Sequence, residues 1–428
     1  REDAPFLLKL LEHPNHRMRL EAWSEVEELI DSGVLTREEA REKRQYFLEL
    51  LGSEDAELRD WAWEIVEDLA ERGVITREDA PFLLKLLEHP NHRIRFDAWD
   101  EARWLIDRGV LTREEVREKR QYFLELLELG GLSARLKAWD KVRELIYRGV
   151  LTREEAREKI HNLLALLEFK KGDVKDRAWY EVEILAKRGV ITREDAPFLL
   201  RPLEHPDHNV RYGAWSRIIP LLDKGVVALG ELRERRRYFL ELLGSKDLRV
   251  RLDAWDEVDE LIDSGVLTRE EAREKRQYFF ELLESKDFDI WFKAWFKVEY
   301  LAERGMITRE DAEFFFKLFE HPDSSVRSEA WRRVGDLVDM GVITREDAQR
   351  LLKMLEHPDH DVRVDAWRRV GELIDRGVLT REEARERRQY FFELLGSSEF
   401  LVSGFAQDAA DELVKRGVIS RDELREHS

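Results

Sequence analysis

The sequence predicts an all-α protein: a right-handed α-solenoid of about eleven two-helix repeats, ending in a short capping helix. Three observations carry that expectation. A glycine-led octapeptide, GVLTREEA at Gly33, recurs with small changes at Gly73, Gly109, Gly149, Gly189, Gly265, Gly305, Gly341, Gly377 and Gly417, and as a degraded GVVALGEL at Gly225. Successive glycines stand 36 or 40 residues apart, the period of stacked helical hairpins. Ten residues before these glycines stands a tryptophan, at Trp23, Trp63, Trp99, Trp139, Trp179, Trp215, Trp255, Trp295, Trp331 and Trp367, each preceded by alanine.

The joints account for each helix in turn. The first helix of a repeat stops at a Pro- or Gly-containing turn, Pro14 or Gly52. The second helix then runs to the octapeptide, with Met18, Ala22, Val26, Leu29 and Ile30 as one apolar stripe. Gly33 takes the left-handed conformation that ends it, and Val34 folds back on Leu29. Thr36 caps the next first helix, Glu39 completes a capping box, and Leu35 staples against Ala40. Links this short set neighbouring helices antiparallel. Long repeats (REEAREKRQYFLELL) carry about one more helical turn than short ones (REDAPFLLKLLEHP). In short repeats Pro5, Pro81 or Pro197 delays or kinks the helix start. Four residues before many of the tryptophans is an arginine, as at Arg19, Arg95, Arg211, Arg251 and Arg363.

No Gly/Ser/Pro-rich linker interrupts the pattern, so residues 1–428 are expected as one continuous array. The repeat over residues 193–230 is irregular, with Pro202, Gly213 and Pro220 inside its helices and Ala228 in place of the capping Thr. A bend there and neutral drift in one copy are the two readings. In the last repeat Gln407 takes the tryptophan slot, which fits a ring that packs against a following repeat. Residues 418–428 read as a polar cap.

Composition excludes several functions. There is no cysteine, hence no disulfide, thiolate metal site or cysteine nucleophile. No apolar run nears the roughly 20 residues of a membrane span and no secretory signal opens the chain, so the expected location is cytoplasmic. A formal charge of −19 argues against nucleic acid as a partner. Basic runs such as RERRRYF, Arg233 to Phe239, alternate with Glu and read as solvated helix faces. Abundant charge with scarce Asn and Gln suggests a thermostable protein. The histidine pairs His13/His16, His89/His92, His205/His208 and His357/His360 lack the further ligands that zinc takes. Phosphate-binding glycine loops and nucleophile elbows are missing too. No catalytic residue, metal site or cofactor is therefore assigned.

The segment EHPDHDVRVDAW, with its proline turn, Val-Arg pair and small residue on the second helix, resembles the joint of HEAT repeats. The tryptophan after the alanine departs from the usual HEAT pattern. The resemblance covers the whole chain and implies first helices on a convex side, second helices on a concave side, and a scaffold or protein binder. HEAT-type deoxyhypusine hydroxylases bind iron through His-Glu pairs. Here the order is reversed, as in Glu12-His13 and Glu356-His357, so that motif does not carry over. The acidity disfavours HEAT-like DNA glycosylases.

The candidate site is aromatic. FDIWFKAWFKVEY, Phe288 to Tyr300, holds the repeat's own Ala294 and Trp295 plus Phe288, Phe292, Phe296 and Tyr300 at four-residue spacing, away from the buried stripe of Ile290 and Val298. Neighbouring repeats place Asp256 and Arg332 in the slot of Phe296, and Glu260 and Asp336 in that of Tyr300. Trp291 replaces the usual arginine. Surplus rings elsewhere, Trp61, Phe96, Trp104, Tyr147, Tyr180 and Tyr212, suggest a discontinuous aromatic track on the concave side. The phenylalanines of EFFFKLFE, Glu313 to Glu320, read as core. The primary expectation is a non-catalytic scaffold gripping a protein or peptide through Trp291, Phe292, Phe296, Tyr300, Tyr180, Tyr212, Trp104 and Trp61. Asp100, Asp140 and Asp256 favour a partner with basic flanks. The alternatives are a structural protein that self-assembles as a homo-oligomer through the aromatic face, a HEAT-like enzyme, and rings tucked against adjacent helices by superhelical curvature.

Overall fold

Each glycine joint folds as its sequence requires. The eleven octapeptide glycines have φ between 69° and 75°, a region where only glycine escapes a Cβ clash. At the first joint Gly33 N–H donates to the Ile30 carbonyl at 3.0 Å and Val34 N–H to that of Leu29 at 2.9 Å, the paired bonds of a Schellman ending. Thr36 then caps the next helix: its hydroxyl accepts from Glu39 N–H at 3.2 Å, while the Glu39 carboxylate accepts from Thr36 N–H at 2.7 Å. The computed structural model describes residues 4–129 and 131–427. Among the described residues every regular element is an α- or 3-10 helix.

The two repeat lengths differ as the sequence suggests. In a long repeat the first helix is Arg37–Leu51. In a short one the Thr76 cap is followed by a 3-10 turn, Arg77–Asp79, and the α-helix begins only at Ala80, with Pro81 in its first turn. Proline is tolerated there because those N–H groups have no helical partner. In the irregular repeat Ala228 has no hydroxyl, yet Glu231 still accepts from Ala228 N–H at 2.9 Å, so half the box survives.

The tryptophans join helices in two ways. Trp23 Nε1 donates to the Leu11 carbonyl at 3.1 Å, satisfying an orphan acceptor at the end of its own first helix. Its ring meets Phe47, on the next repeat's first helix, at 5.3 Å. Trp99 with Phe123 and Trp367 with Phe391 repeat this contact at 5.2 and 5.3 Å. The expectation that the ring packs against a following repeat is met, and Gln407 in the same slot is exposed. The indole-to-carbonyl bond follows repeat length: the short repeats' Trp23, Trp99, Trp215, Trp331 and Trp367 make it at 3.1–3.2 Å, whereas in long repeats Trp255 reaches only 3.4 Å and Trp63, Trp139, Trp179 and Trp295 leave Nε1 without a partner.

The arginine four residues before the tryptophan is a buried tie. Arg19 Nε donates to the His13 carbonyl at 2.9 Å, and its Nη1 donates to the Tyr46 carbonyl at 3.0 Å and to Glu49 at 3.1 Å. Arg251 makes the same set with Ser245, Tyr278 and Glu281. One guanidinium thus closes the turn of its repeat and reaches the next first helix. Exposed forks add to this: Arg345 grips both oxygens of the capping Glu383 at 2.7 Å and holds that carboxyl down at about 2.

The helices form two compact units, residues 1–235 and 236–428. In the first, Gly213 marks a close approach. Lys175 occupies the arginine slot, lies buried, and its Nζ donates to the Asn209 carbonyl at 2.6 Å. A Cβ on Gly213 would stand 2.6 Å from Lys175 Cε and Nζ. The new Cβ would push aside the flexible end of Lys175 at the loss of its bond to Asn209, while alanine gains about 1 kcal/mol of helix propensity over glycine; Gly213→Ala should therefore shift stability by no more than about 1 kcal/mol, read by urea titration. In the second unit Phe315, Phe316 and Phe319 are core, as predicted, and Phe280 stacks on Phe314 at 4.3 Å. The last helix, Arg421–His427, buries none of its residues, while Val418 and Ile419 just before it are buried; Ser428 lies outside the described residues.

Candidate protein-binding face

The second helix Phe288–Glu303 carries the aromatic ladder. Asp287 caps it, accepting from Asp289 N–H at 3.0 Å and Ile290 N–H at 3.2 Å. Its apolar stripe, Ile290, Ala294, Trp295, Val298 and Leu301, faces the core. The four-residue ring series therefore has to leave that core. Phe288, Phe292, Phe296 and Tyr300 are 67, 43, 56 and 36 % exposed. Curvature does not tuck them away.

The rings hold one another in place. Phe288 stacks on Phe292 at 5.6 Å and 21°, and Phe292 meets Phe296 edge-on at 4.7 Å and 68°. Such pairs add about 0.5–1.5 kcal/mol beyond area burial, so the ladder is ordered before anything binds it. Cations frame its far end. The Arg333 guanidinium lies 5.1 Å from the Phe296 ring; Lys297 and Arg304 lie 5.2 and 5.7 Å from that of Tyr300. The Tyr300 hydroxyl hydrogen-bonds Asp259, whose negative charge pushes the phenol pKa up.

Other predicted rings are not gathered into the ladder. Trp291 is half-buried in the arginine slot, 5.7 Å from Phe288, with Nε1 unpaired. In the first unit Tyr180 is 54 % exposed on its own, while Trp61, Phe96, Trp104 and Tyr212 are half-buried. Arg108 covers Trp104 at 5.3 Å. Tyr147 is 81 % exposed, in a slot where other repeats carry an acid that binds the next repeat's arginine, as Asp339 binds Arg376 at 2.9 Å. The contiguous aromatic surface is that of the Phe288–Glu303 helix.

A fixed contact links successive second helices: the residue after one tryptophan meets the second residue after the next. Asp256 pairs with Lys297 at 2.6 Å, Asp100 pairs with Lys141, and Phe296 meets Arg333 by the ring contact above. In the first unit this register also builds a cleft of about 410 Å³ with Asp60, Glu64, Asp97, Asp100 and Glu101 on its walls and Trp63 behind. Burial raises the pKa of Asp97 and of Glu101, the latter helped by Asp100. At the next free step Glu181 meets Asp140; burial, then the Asp140 charge, lifts Glu181 to about 7.

The histidines have structural work. His13, His89, His205, His321 and His357 each accept, through Nδ1, the backbone N–H two residues on, at 3.0–3.1 Å. Among the described residues no three His, Asp or Glu side chains are grouped to hold a metal ion, and no helix is long and apolar enough to cross a membrane.

No family model and no curated protein matches the chain. Solved structures do. Kap121p superposes with a TM-score of 0.54 at 12 % identity, over 97 % of this chain and 49 % of its own. Importin beta, crystallised in a polyethylene glycol condition, gives 0.50 at 14 % identity, over 99 % of this chain and 66 % of its own. The chain folds as a HEAT-repeat α-solenoid. It spans about half to two thirds of the length of the solved structures it matches. Two features of this HEAT solenoid escaped the sequence reading. The arginine tie was visible as a periodic residue, but burial gave it its role. The Glu181–Asp140 meeting had a signal too, since aligning the repeats sets Glu181 where Lys141 and Lys297 stand.

Proposed function

We propose that the protein is a non-catalytic scaffold that holds a protein or peptide on its second-helix face, with Phe292, Phe296 and Tyr300 as central anchors and Trp291 beside them. The observation that carries this reading is the exposed, self-ordered ring ladder in a helix whose core stripe is complete without it. Each ring can bury about 150–250 Å², and pre-ordered aromatic rings dominate interface energetics. Tyr180, Tyr212, Trp104 and Trp61 are outlying contacts in this reading. No cofactor is needed, and the cytoplasm is the expected place of action.

Affinity capture from cell extract tests it. Phe296→Asp should abolish recovery of the partner while costing no more than about 1.5 kcal/mol of stability, the worth of its ring pair with Phe292. Unchanged capture by that variant overturns the reading. The same ladder could serve a second copy, the self-assembling alternative. Sedimentation equilibrium over a concentration series separates the two: a monomer throughout discards self-assembly.

A further inference from the structure

On the second-helix face of the second unit, the place one residue past each tryptophan is filled in turn by Asp256, Phe296, Arg332 and Arg368. The row changes sign at the aromatic ladder. Before it, Asp256 is already paired with Lys297 at 2.6 Å. Beyond it the cations are less well matched. The Glu329 carboxylate takes Arg332 at 2.6 Å and Arg333 at 3.1 Å, and the Arg332 side chain stays 51 % exposed. Arg368 makes no ion pair among the described residues. Asp365, three residues back, is held by Arg327 at 2.9 Å, and Glu372, four on, by Arg376 at 3.1 Å and Arg369 at 3.8 Å. The exposed Arg368 guanidinium instead lies over the ring of Phe405, itself exposed, at 4.8 Å. Of the ladder helix's own acids, Glu299 is half-buried, and Asp289 and Glu303 stand two turns either side of Phe296, about 10 Å off.

We propose that the partner segment crossing this row is an extended acidic one in the polyproline II conformation, with an apolar side chain on Phe296 and carboxylates on Arg332 and Arg368. This deepens the scaffold reading and rests on it. Charge complementarity chooses the sign, and spacing chooses the conformation. Stacked helix layers lie about 8–10 Å apart. A polyproline II chain rises about 3.1 Å per residue with three residues per turn, so it returns a side chain to the same side every ~9 Å. A β-strand does so every two residues, about 6.6 Å, and falls out of step with the row. The partner is therefore an apolar residue with acids three and six positions from it. Proline suits the places between, because such a segment docks on aromatic rings without internal hydrogen bonds to give up.

The test titrates the full chain at low ionic strength with two labelled peptides, Leu-Pro-Pro-Glu-Pro-Pro-Glu and the same residues in reverse order, read by fluorescence anisotropy. One order should bind, and exchanging both glutamates for lysine should weaken it by about tenfold or more. Arg368→Glu should cost the glutamate peptide about fivefold and improve binding of the lysine peptide, a swap that a change in stability alone does not produce. Phe296→Asp should cost about tenfold or more, with circular dichroism checking that both variants keep their helix. Equal affinity of wild type and Arg368→Glu for the glutamate peptide overturns the proposal. So does a lysine peptide that binds wild type as tightly, or equal binding of a peptide with its glutamates two and four positions from the leucine. If no peptide binds while Phe296→Asp still abolishes partner capture, this inference falls and the scaffold reading stands. If capture survives Phe296→Asp while the peptides behave as expected, the acidic-segment site stands on its own and the captured partner is held elsewhere.

Discussion

Trp255→Ala is expected to lower the free energy of unfolding by about 3–5 kcal/mol, as truncation of a fully buried aromatic does. Three losses combine. The indole is 0 % exposed, so its removal leaves a cavity between rigid helices. The Leu243 carbonyl loses the Nε1–H that reaches it at 3.4 Å, and Phe279 of the next repeat loses the ring 5.5 Å away. Because that ring spans two repeats, the damage should spread to the Phe279 helix, whose amides should exchange faster with solvent. Urea titration followed by circular dichroism gives the magnitude and hydrogen exchange the spread. A loss below about 1 kcal/mol would show that the layers are held by other contacts. Phe288→Ala, on the exposed ladder, is the control and should cost no more than about 1.5 kcal/mol, the worth of its stack on Phe292.

Glu181→Gln should stabilise the protein at pH 8 by about 3 kcal/mol and leave it nearly unchanged at pH 4. The folded chain holds Glu181 at about 7 against an ordinary 4.5. Its native form therefore binds a proton that the unfolded chain has released between those values. Stability then falls as pH rises through that window, by about 1.4 kcal/mol per pH unit, and the full loss is in place above neutrality. Glutamine keeps the shape and the hydrogen bond without the charge. The readout is the difference between wild-type and variant melting curves across pH 4 to 8, which cancels the titration of other groups. A constant difference at all pH values would mean that Glu181 ionises freely.

Much of the fold was legible because each joint is local chemistry. Gly33, Thr36 and Glu39 specify a helix stop and start within seven positions, and the structure makes every bond they imply. The aromatic ladder was legible for the opposite reason: neighbouring repeats put Asp256 and Arg332 where Phe296 stands, and a slot that accepts charge faces water. Contacts across repeats were harder to read. Arg19 and Glu49 are thirty positions apart, and nothing in either residue type tells a buried tie from a solvated charge. Trp104 and Tyr180 looked alike as surplus rings, yet one lies beneath Arg108 and the other stands clear. Side-chain reach from the adjacent helix decides such cases, and a one-dimensional pattern does not carry it.

The near-identity of the glycine joints has an outcome of its own. All eleven turn through the same backbone angle, within 6° in φ, and close on bonds made inside the joint. One such link is therefore interchangeable with any other. A genetic copying error that adds or drops a stretch of 36 or 40 codons in frame would leave both scars well formed, so the length of this protein can drift in whole cassettes while its edges stay intact.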